Sequence, residues 1–385
     1  MLAHFGHHLI PTMLSPLLPF IRDEFALDYT QAGWVISAYT LAYGLSQLPA
    51  GWMADRLGPR ILITVGISGV GLAGLLVGLS TSYVMLIIFL ALLGIVGGGY
   101  HPSASPLVSK LADSKRRGQA LGIHQVGGTG SWFLAPLIAV GVATVLNWHN
   151  TFILLASIVI VFGIVFYLLL GRQGSIGKTE DVAVDTHAKT PLSYSGRLRN
   201  LVLFITLGGF LQTVLVSTVS LLALFVVDYF GLSVTAAGSL LALYHFTGLW
   251  AGPLGGYLSD RLGKVQVMVI VSLIAGPLVY LLSLMSFWWS VAIVLFAMGM
   301  TQYIGMPISE AYIISHTSER NRSSVLGIYY FASRGGPGLI VPVIGYLFDQ
   351  FGFSTGFGIT GVTLSIITFA CSIFLWRSRE IPSLK

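Results

Sequence analysis

The chain has 385 residues, of which 55% are apolar and only 9% are charged. A soluble domain usually carries about 25% charged residues, so this composition excludes a disordered chain and argues against a soluble enzyme. The single cysteine, Cys371, excludes an intramolecular disulfide and hence a disulfide-stapled secreted domain. The length instead accommodates a dozen membrane-spanning helices of about 20 residues with their loops.

Apolar segments of spanning length recur along the chain and are separated by short polar breaks. They predict twelve helices, at 2–22, 31–54, 61–80, 83–107, 118–145, 150–171, 200–227, 236–258, 265–285, 288–315, 323–347 and 354–377. We expect these boundaries to hold to about 2–4 residues. The sequence therefore predicts an all-α polytopic membrane protein with twelve transmembrane helices in two pseudo-symmetric halves, at 1–171 and 200–385, joined by a polar linker at 172–199.

The distribution of charge predicts the orientation in the membrane. With twelve spans the breaks alternate between the two sides, and every Lys and Arg except Arg22 and Arg334 lies on one set of breaks. The Lys/Arg-rich side of a membrane protein is cytoplasmic, so we expect both termini and the linker in the cytoplasm and the protein in the inner (cytoplasmic) membrane. The net charge of +6 then reflects topology, and we expect no nucleic-acid partner.

An internal repeat relates the two halves. A shift of 205 residues, the difference between positions 260 and 55, aligns them without a gap at many points. The run Asp-Arg-Leu-Gly at 55–58 meets the same four residues at 260–263, and Pro102 meets Pro307. Two parallel halves related by an axis along the membrane normal are a transporter architecture.

The residues of this repeat resemble a known family. Gly-Trp-Met-Ala-Asp-Arg-Leu-Gly-Pro-Arg at 51–60 resembles the loop 2–3 signature of the major facilitator superfamily, and 256–264 is similar to its echo in loop 8–9. The resemblance covers essentially the whole chain and implies a secondary transporter that works by alternating access, which we expect to be a monomer. The opening His-Phe-Gly-His-His at 4–8 is similar to the His-x-x-Asn-Asp start of fosmidomycin-resistance-type exporters, with His8 in place of the acid.

The sequence departs from the drug–proton antiporters of that family. Their fourth helix carries an arginine, whereas here it reads Gly-Gly-Gly-Tyr-His-Pro at 97–102. The fifth helix carries Gly-Gly-Thr-Gly at 127–130, which only partly matches the antiporter Gly-Pro-Gly-Gly motif.

The signature loop predicts a gate. Its glycines permit close helix approach and a tight turn, and Asp55 can accept backbone N–H bonds or pair with an arginine at a helix end. The family resemblance implies that Asp55 latches the outward-facing state against the eleventh helix; the alternative is a solvated charge at an ordinary helix end. The predicted gate residues are Gly51, Asp55, Arg56, Gly58, Arg60, Gly256, Asp260, Arg261 and Gly263.

Two charged residues lie well inside predicted spans, where a charge is costly and therefore suggests function. They are Glu310 on the tenth helix and Arg334 on the eleventh. One interpretation makes Glu310 a proton carrier and Arg334 an anion or counter-charge site. The other makes them a structural ion pair within the second half.

Six histidines also lie within predicted spans: His4, His7, His8, His101, His124 and His245. Histidine is easily protonated near neutral pH and suits proton coupling or an anion site, although a single membrane histidine usually only packs. In the family, helices 1, 4, 7 and 10 line the central cavity, which implies that the first four histidines and Glu310 share one aqueous path. Ser105 aligns with Glu310 in the repeat and lies four residues from His101, on one helix face.

The favoured function is proton-coupled transport of a small anionic or polar organic solute, and the partners are that solute, protons and the bilayer. Export of lipophilic drugs is the first alternative. Metal-ion transport is less favoured: His4 and His8 have a metal-ligand spacing, but no cysteine or acid lies beside them, and no bound metal is expected. No motif in the sequence supports a membrane-embedded enzyme or receptor. No phosphate-binding Gly-x-x-x-x-Gly-Lys-[Ser/Thr] loop is present, so neither ATP nor another cofactor is expected.

Overall fold

The structure is a computed structural model that describes residues 1–112, 117–172, 194–317 and 319–376, without the side chains of 51, 55, 109, 110, 117–119, 172, 194–197, 319–324 and 376. The described residues form helices and no strands. These helices group into twelve consecutive rods, α1–α12, within the described ranges.

The first six rods are α1 (Leu2–Thr12 and Leu14–Phe25), α2 (Tyr29–Leu57), α3 (Pro59–Thr64, a π-helical turn Val65–Gly69, and Val70–Gly78), α4 (Tyr83–Gly97 and Tyr100–Leu111), α5 (Arg117–Leu146) and α6 (Trp148–Arg172). All six predicted starts agree with these bounds to within two residues. α3 starts two residues earlier than predicted because Pro59 suits the first turn of a helix.

The last six rods are α7 (Tyr194–Ser220 and Leu222–Phe230), α8 (Val234–Phe246 and Gly248–Leu262), α9 (Lys264–Leu282), α10 (Trp288–His316), α11 (Glu319–Tyr330, a π-helical turn Phe331–Gly335, and 337–351) and α12 (353–376). The last segment of α11 and the whole of α12 follow each other directly within Pro337–Trp376. Gly352 separates them, because its backbone is non-helical with φ of 76°.

The breaks between rods have a local cause in the sequence. Gly58 and Gly263 adopt φ of 81° and 95°, a backbone region that is open mainly to glycine. These two residues are equivalent in the internal repeat, so the two halves turn in the same way after their second helix. The conformation explains why glycine occupies both positions.

Several rods that the sequence predicts as continuous are interrupted in the structure. α1 is divided after Thr12, one residue beyond Pro11, which lacks the backbone N–H that a helix interior uses. α4 is divided at the glycine pair between Gly97 and Tyr100. The apolar pattern of the sequence does not predict such breaks, because the helical segments on both sides of each break are apolar.

The two halves meet most closely through α2 and α11. A Cβ added to Gly33 would lie 2.8 Å from the Cα of Pro342, and one added to Gly338 would lie 2.7 Å from the Cβ of Leu41. Gly44 and Gly335 face each other at the same crossing. Small residues allow two membrane helices to approach this closely, and the contact places the middle of α11 beside the first half.

The surface is that of a polytopic membrane protein. Among the described residues, eight helical stretches are long and apolar enough to cross a membrane by length and composition. One of them, Val325–Leu375, passes through Gly352 and therefore contains both α11 and α12. Large apolar side chains point outward, such as Ile158 and Ile293, which are 55% and 63% exposed. The all-α polytopic prediction is confirmed, and the count of twelve crossings stays a prediction.

Candidate functional site

A cavity of about 160 Å³ lies between the two halves. Its walls come from α1, α2 and α5 of the first half and from α7, α8, α10 and α11 of the second. The polar and aromatic side chains that line it include Tyr39, Thr40, Trp132, His245, Tyr303 and Arg334. No aspartate or glutamate is among its described lining residues.

Arg334 supplies the charge of this cavity. It lies on the π-helical turn Phe331–Gly335 of α11, and such turns are frequent at functional sites because they redirect side chains. Its guanidinium carbon lies 5.3 Å from the centre of the Trp132 ring, and its Nη2 lies 3.9 Å from Met306 Sδ. These contacts position the guanidinium without neutralising its charge, so the cavity is suited to an anion.

The second half contributes an aromatic and amide wall. The side chains of His245 and Tyr303 are hydrogen-bonded, with Nδ1 and Oη 2.7 Å apart. Tyr244 donates its hydroxyl to Gln302, whose backbone carbonyl accepts from Gln212 Nε2 at 3.1 Å. Sequence reasoning missed Gln302 and Tyr303, although they lie five and four residues before Pro307. The wall offers hydrogen-bonding groups and flat apolar faces to a bound solute.

A histidine cluster lies beside the cavity in the first half. Its members are His4, His7, His8, His101 and His124. The His4 ring stacks on His124 with 4.4 Å between centroids, and the His8 ring lies 5.2 Å from that of His101. Five of the six predicted histidines thus come together, whereas His245 lies on the cavity wall of the second half.

Local packing explains how the cluster forms. His4, His7 and His8 share one turn of α1, and a Cβ at Gly128 of α5 would lie 2.6 Å from His4 Cε1. The glycine run of α5 therefore makes room for the His4 ring. Trp132, one turn further along α5, lies 5.1 Å from the His8 ring and links the cluster to the cavity. Ser105 lies half-buried on the same segment of α4 as His101.

Glu310 lies on α10, partly buried, within hydrogen-bonding reach of the Tyr330 hydroxyl. Arg334 is close enough to interact with it electrostatically. The ion pairs within 4.0 Å among the described residues do not include these two. The structure thus brings both predicted charges to one region but does not close them into an ion pair in this state.

The gate residues are described in part. The side chains of Gly51 and Asp55 lie outside the described residues, so the predicted latch of Asp55 stays a prediction. Arg60 stacks on Tyr167 with 3.8 Å from its guanidinium carbon to the ring centre and donates to the Tyr167 carbonyl at 3.0 Å. This contact ties α3 to α6.

The remaining gate residues lie at exposed rod ends. Arg56 stacks on Trp52 and Arg261 stacks on Tyr257, with distances from guanidinium carbon to ring centre of 4.3 and 4.6 Å. Asp260 is exposed, and no atom lies within 4 Å of a Cβ built at Gly256. The equivalent arginines thus make the same contact in both halves, as the internal repeat predicts.

A polar seal joins the halves at the opposite end of the molecule. We define it by Arg22, Tyr29, Thr30, Asp228 and Asp349. Arg22 donates to both carboxylate oxygens of Asp228 at 2.5 and 2.8 Å, and Asp349 accepts from the backbone N–H groups of Tyr29 and Thr30 at 2.9 and 2.8 Å.

Tyr29, which precedes the predicted span 31–54, donates its hydroxyl to Asp228 within the seal. Burial, the larger cause, and the hydrogen bond to Asp228, the smaller one, raise the pKa of Tyr29 to about 12. The hydroxyl therefore stays protonated near neutral pH and remains a donor. From the sequence alone, the charged residues of the seal indicate only which side of the membrane a break faces. In the structure they form a contact between the two halves, and this contact is closed in this state.

Comparisons with known proteins identify the family. The model of the Major Facilitator Superfamily matches residues 1–222 and 205–385. A D-galactonate transporter of Escherichia coli O6:H1 is 31% identical over 38% of this chain and 34% of its own length. A probable sulfoacetate transporter of Cupriavidus necator is 32% identical over 41% of this chain and 36% of its own length. The matching segment therefore spans about a third of each of these two relatives.

Other similarities extend over the whole chain. The multidrug resistance protein MdtG of Proteus mirabilis is 22% identical over 97% of this chain and 93% of its own length. The crystal structure of a POT family transporter in complex with 5-aminolevulinic acid superposes with a TM-score of 0.84 at 15% identity, over 98% of this chain and 96% of the other. That structural likeness establishes the fold. The chain belongs to the Major Facilitator Superfamily.

Proposed function

We propose that the protein transports a small organic anion, coupled to protons, by alternating access of the cavity. The observation that carries this proposal is the charge of the cavity: Arg334 lines it, and no acid is among its described lining residues. A half-buried guanidinium that forms no ion pair among the described residues favours an anionic ligand, which it can bind through two parallel hydrogen bonds.

The size and walls of the cavity support a compact, polar substrate. A volume of about 160 Å³ suits a solute of few heavy atoms. The aromatic faces of Trp132 and Tyr303 suit its carbon skeleton, and Thr40 and Gln302 offer hydrogen bonds. Two relatives carry the names of carboxylate or sulfonate transporters, for D-galactonate and sulfoacetate, which agrees with this chemistry.

Glu310 is our proposed proton carrier. A carrier must lose and regain its proton as the cavity changes sides, so its interaction with a neighbouring cation must change during the cycle. Glu310 lies near Arg334 without a direct ion pair. An anion bound to Arg334 would weaken the attraction between the two side chains and favour protonation of Glu310, which couples the two ligands.

The proposed cycle moves the halves, 1–171 and 200–385, against each other in the cytoplasmic membrane, as a monomer with both termini inside. By the positive-inside rule the seal lies on the outer side. Its closure supports a cavity that is shut toward the outside in this state. Opening requires the Arg22–Asp228 and Asp349–α2 contacts to break while the predicted Asp55 latch forms.

Reconstitution in liposomes tests the proposal. Candidate anions, such as sugar acids and small sulfonates, are first ranked by the thermal stabilisation that they give the purified protein. Uptake of the best ligand is then measured with proton gradients of both signs. We expect saturable flux of an anion that follows the gradient. Gradient-independent flux would contradict the coupling, and absence of anion flux would contradict the substrate class.

Drug export is the second candidate, favoured by the aromatic cavity and by the similarity to MdtG over 97% of the chain. The two functions separate in one assay. A lipophilic cation should compete with a small anion only if the cavity binds drugs, and the Arg334 guanidinium opposes such a cation. Flux of lipophilic cations without flux of anions would establish the second candidate.

A further inference from the structure

The histidine cluster contains more unsatisfied nitrogen atoms than packing alone explains. The Nε2 atoms of His4, His7, His8 and His124 are buried, and none of these four has a hydrogen-bond partner. Buried polar atoms normally have one, and an exception needs a physical explanation. These exceptions call for an explanation, and two of them, on His4 and His8, belong to side chains that can share one partner.

The hydrogen bonds at Nδ1 of His4 and His7 determine whether Nε2 of the same ring is a donor or an acceptor. His4 Nδ1 lies 2.9 Å from the carbonyl oxygen of His124, and His7 Nδ1 lies 2.6 Å from that of Gly66. A carbonyl oxygen only accepts, so Nδ1 carries the hydrogen and Nε2 of the neutral ring is a lone pair. The Nε2 lone pairs of His4 and His7 therefore cannot satisfy each other. Each needs a hydrogen-bond donor or a metal cation to accept its lone pair.

Three members have the geometry to share one partner. His4, His8 and His101 each offer a ring nitrogen, and these three atoms lie within 4.8 Å of one another. A tetrahedral zinc ion places its nitrogen ligands about 3.3 Å apart, given bonds of roughly 2.0–2.1 Å. Small rotations of the rings close the difference. His4 also shows the bond from Nδ1 to a carbonyl that typically orients a metal-bound imidazole.

We propose that His4, His8 and His101 bind one divalent transition-metal cation of the zinc class, with one coordination position left to water. Imidazole nitrogen is a preferred ligand of this class of metal. Two ligands come from successive turns of α1 and the third from the start of the second segment of α4. The third ligand is 93 residues from His8 (101 minus 8), so the metal-ligand spacing of His4 and His8 did not by itself complete a site.

The bound cation would be resident rather than transported. His4 and His8 are only 3% and 6% exposed, and neither is among the described residues that line the cavity. Trp132 contacts the His8 ring at 5.1 Å and the Arg334 guanidinium at 5.3 Å. The cation would hold α1 against α4 and would set the position of the aromatic residue on which the cavity arginine rests.

Metal titration of the purified full chain tests the site independently of any transport assay. The protein carries a tag without histidine, is treated with chelator and is titrated with Zn²⁺ by calorimetry and with Co²⁺ by visible absorbance. We expect one saturable equivalent per chain and the intense absorbance of tetrahedral cobalt. His101→Gln and His8→Gln should each weaken binding by at least about tenfold.

Matched histidine variants control the experiment. His245→Gln removes a half-buried histidine outside the cluster, and His7→Gln removes a neighbour that is not one of the three ligands; both should bind Zn²⁺ as the wild type does. No saturable binding by the wild type would overturn the proposal, as would unchanged binding by His101→Gln. If His101→Gln does not fold, the wild-type Co²⁺ spectrum decides, since the weak absorbance of octahedral cobalt would also overturn it.

Discussion

Asp349, at the end of α11, caps the start of α2: its carboxylate accepts from the backbone N–H and the hydroxyl of Thr30 at 2.8 and 2.5 Å. The carboxylate thus satisfies N–H groups that no carbonyl of α2 can reach, and it lies at the positive end of that helix. Asp55 has the inverse position, near the end of α2, and is predicted to act on α11. The same two helices therefore carry an acidic residue at opposite ends, and we expect the two contacts to alternate during transport.

Asp349→Asn should shift the protein toward the state that is open on the side of the seal. Loss of a charged cap weakens the closed state by about 1 kcal/mol, which changes the population ratio roughly fivefold. Spin-label distances between the ends of α1 and α7 would report the shift. Asp28→Asn is the control, because Asp28 accepts from Gln31 at 2.7 Å and, among the described residues, makes no hydrogen bond to α11. An equal shift in both variants would mean that helix stability, not the contact between halves, sets the equilibrium.

Asp55→Asn should leave expression and folding near normal but reduce transport strongly, since an amide is a poorer acceptor for helix N–H groups. Asp260→Asn should have the smaller effect, because Val265 stands where the repeat would place the equivalent of Arg60. Flux in proteoliposomes at equal protein density measures both. Full activity of Asp55→Asn would remove the latch from the mechanism.

Arg334→Ala should weaken an anionic substrate roughly tenfold to a hundredfold, the usual effect of losing a charged hydrogen bond. A neutral analogue of similar shape should lose far less, because the aromatic wall remains. Affinity from thermal shift or calorimetry gives the comparison. Equal losses for both ligands would indicate that Arg334 supports the cavity structure through Trp132 rather than binding the anion.

Glu310→Gln should abolish accumulation driven by a proton gradient and retain counterflow, because exchange of substrate needs no net proton movement. Counterflow serves as the control for folding in the same preparation. Retained gradient-driven accumulation would transfer the carrier role to the histidine cluster. If Glu310→Gln and Arg334→Ala each unfold the protein but the double variant folds, the two charges form a structural pair instead.

Labelling of single cysteines should establish the orientation. In a Cys371→Ser background, a cysteine at Lys178 should react only from the cytoplasm. A cysteine at Tyr229, which is 47% exposed at the end of α7, should react only from the outside. Reaction of both from one side would refute the twelve-span topology.

The sequence by itself determined the class of protein and its family. The apolar composition and the polar breaks predict a helical membrane protein because buried and lipid-facing helices need long apolar runs whatever they contact. The repeat of 205 residues and the motif at 51–60 depend only on residue identity and order. These features also predict the equivalent turns at Gly58 and Gly263, which the backbone confirms.

Only the tertiary structure decided which polar residues meet. His4 and His124 are 120 residues apart and stack because α1 and α5 cross at a glycine, whereas His245 lies in the other half. Glu310 and Arg334 lie on neighbouring rods, yet the π-helical turn of α11 directs the arginine over Trp132 and not into an ion pair. Asp349 meets α2 through small residues that let α2 and α11 cross closely. Contacts between helices depend on crossing angles, helix rotations and local breaks, which packing determines. The apolar periodicity of a single segment contains no information about how that segment packs against others.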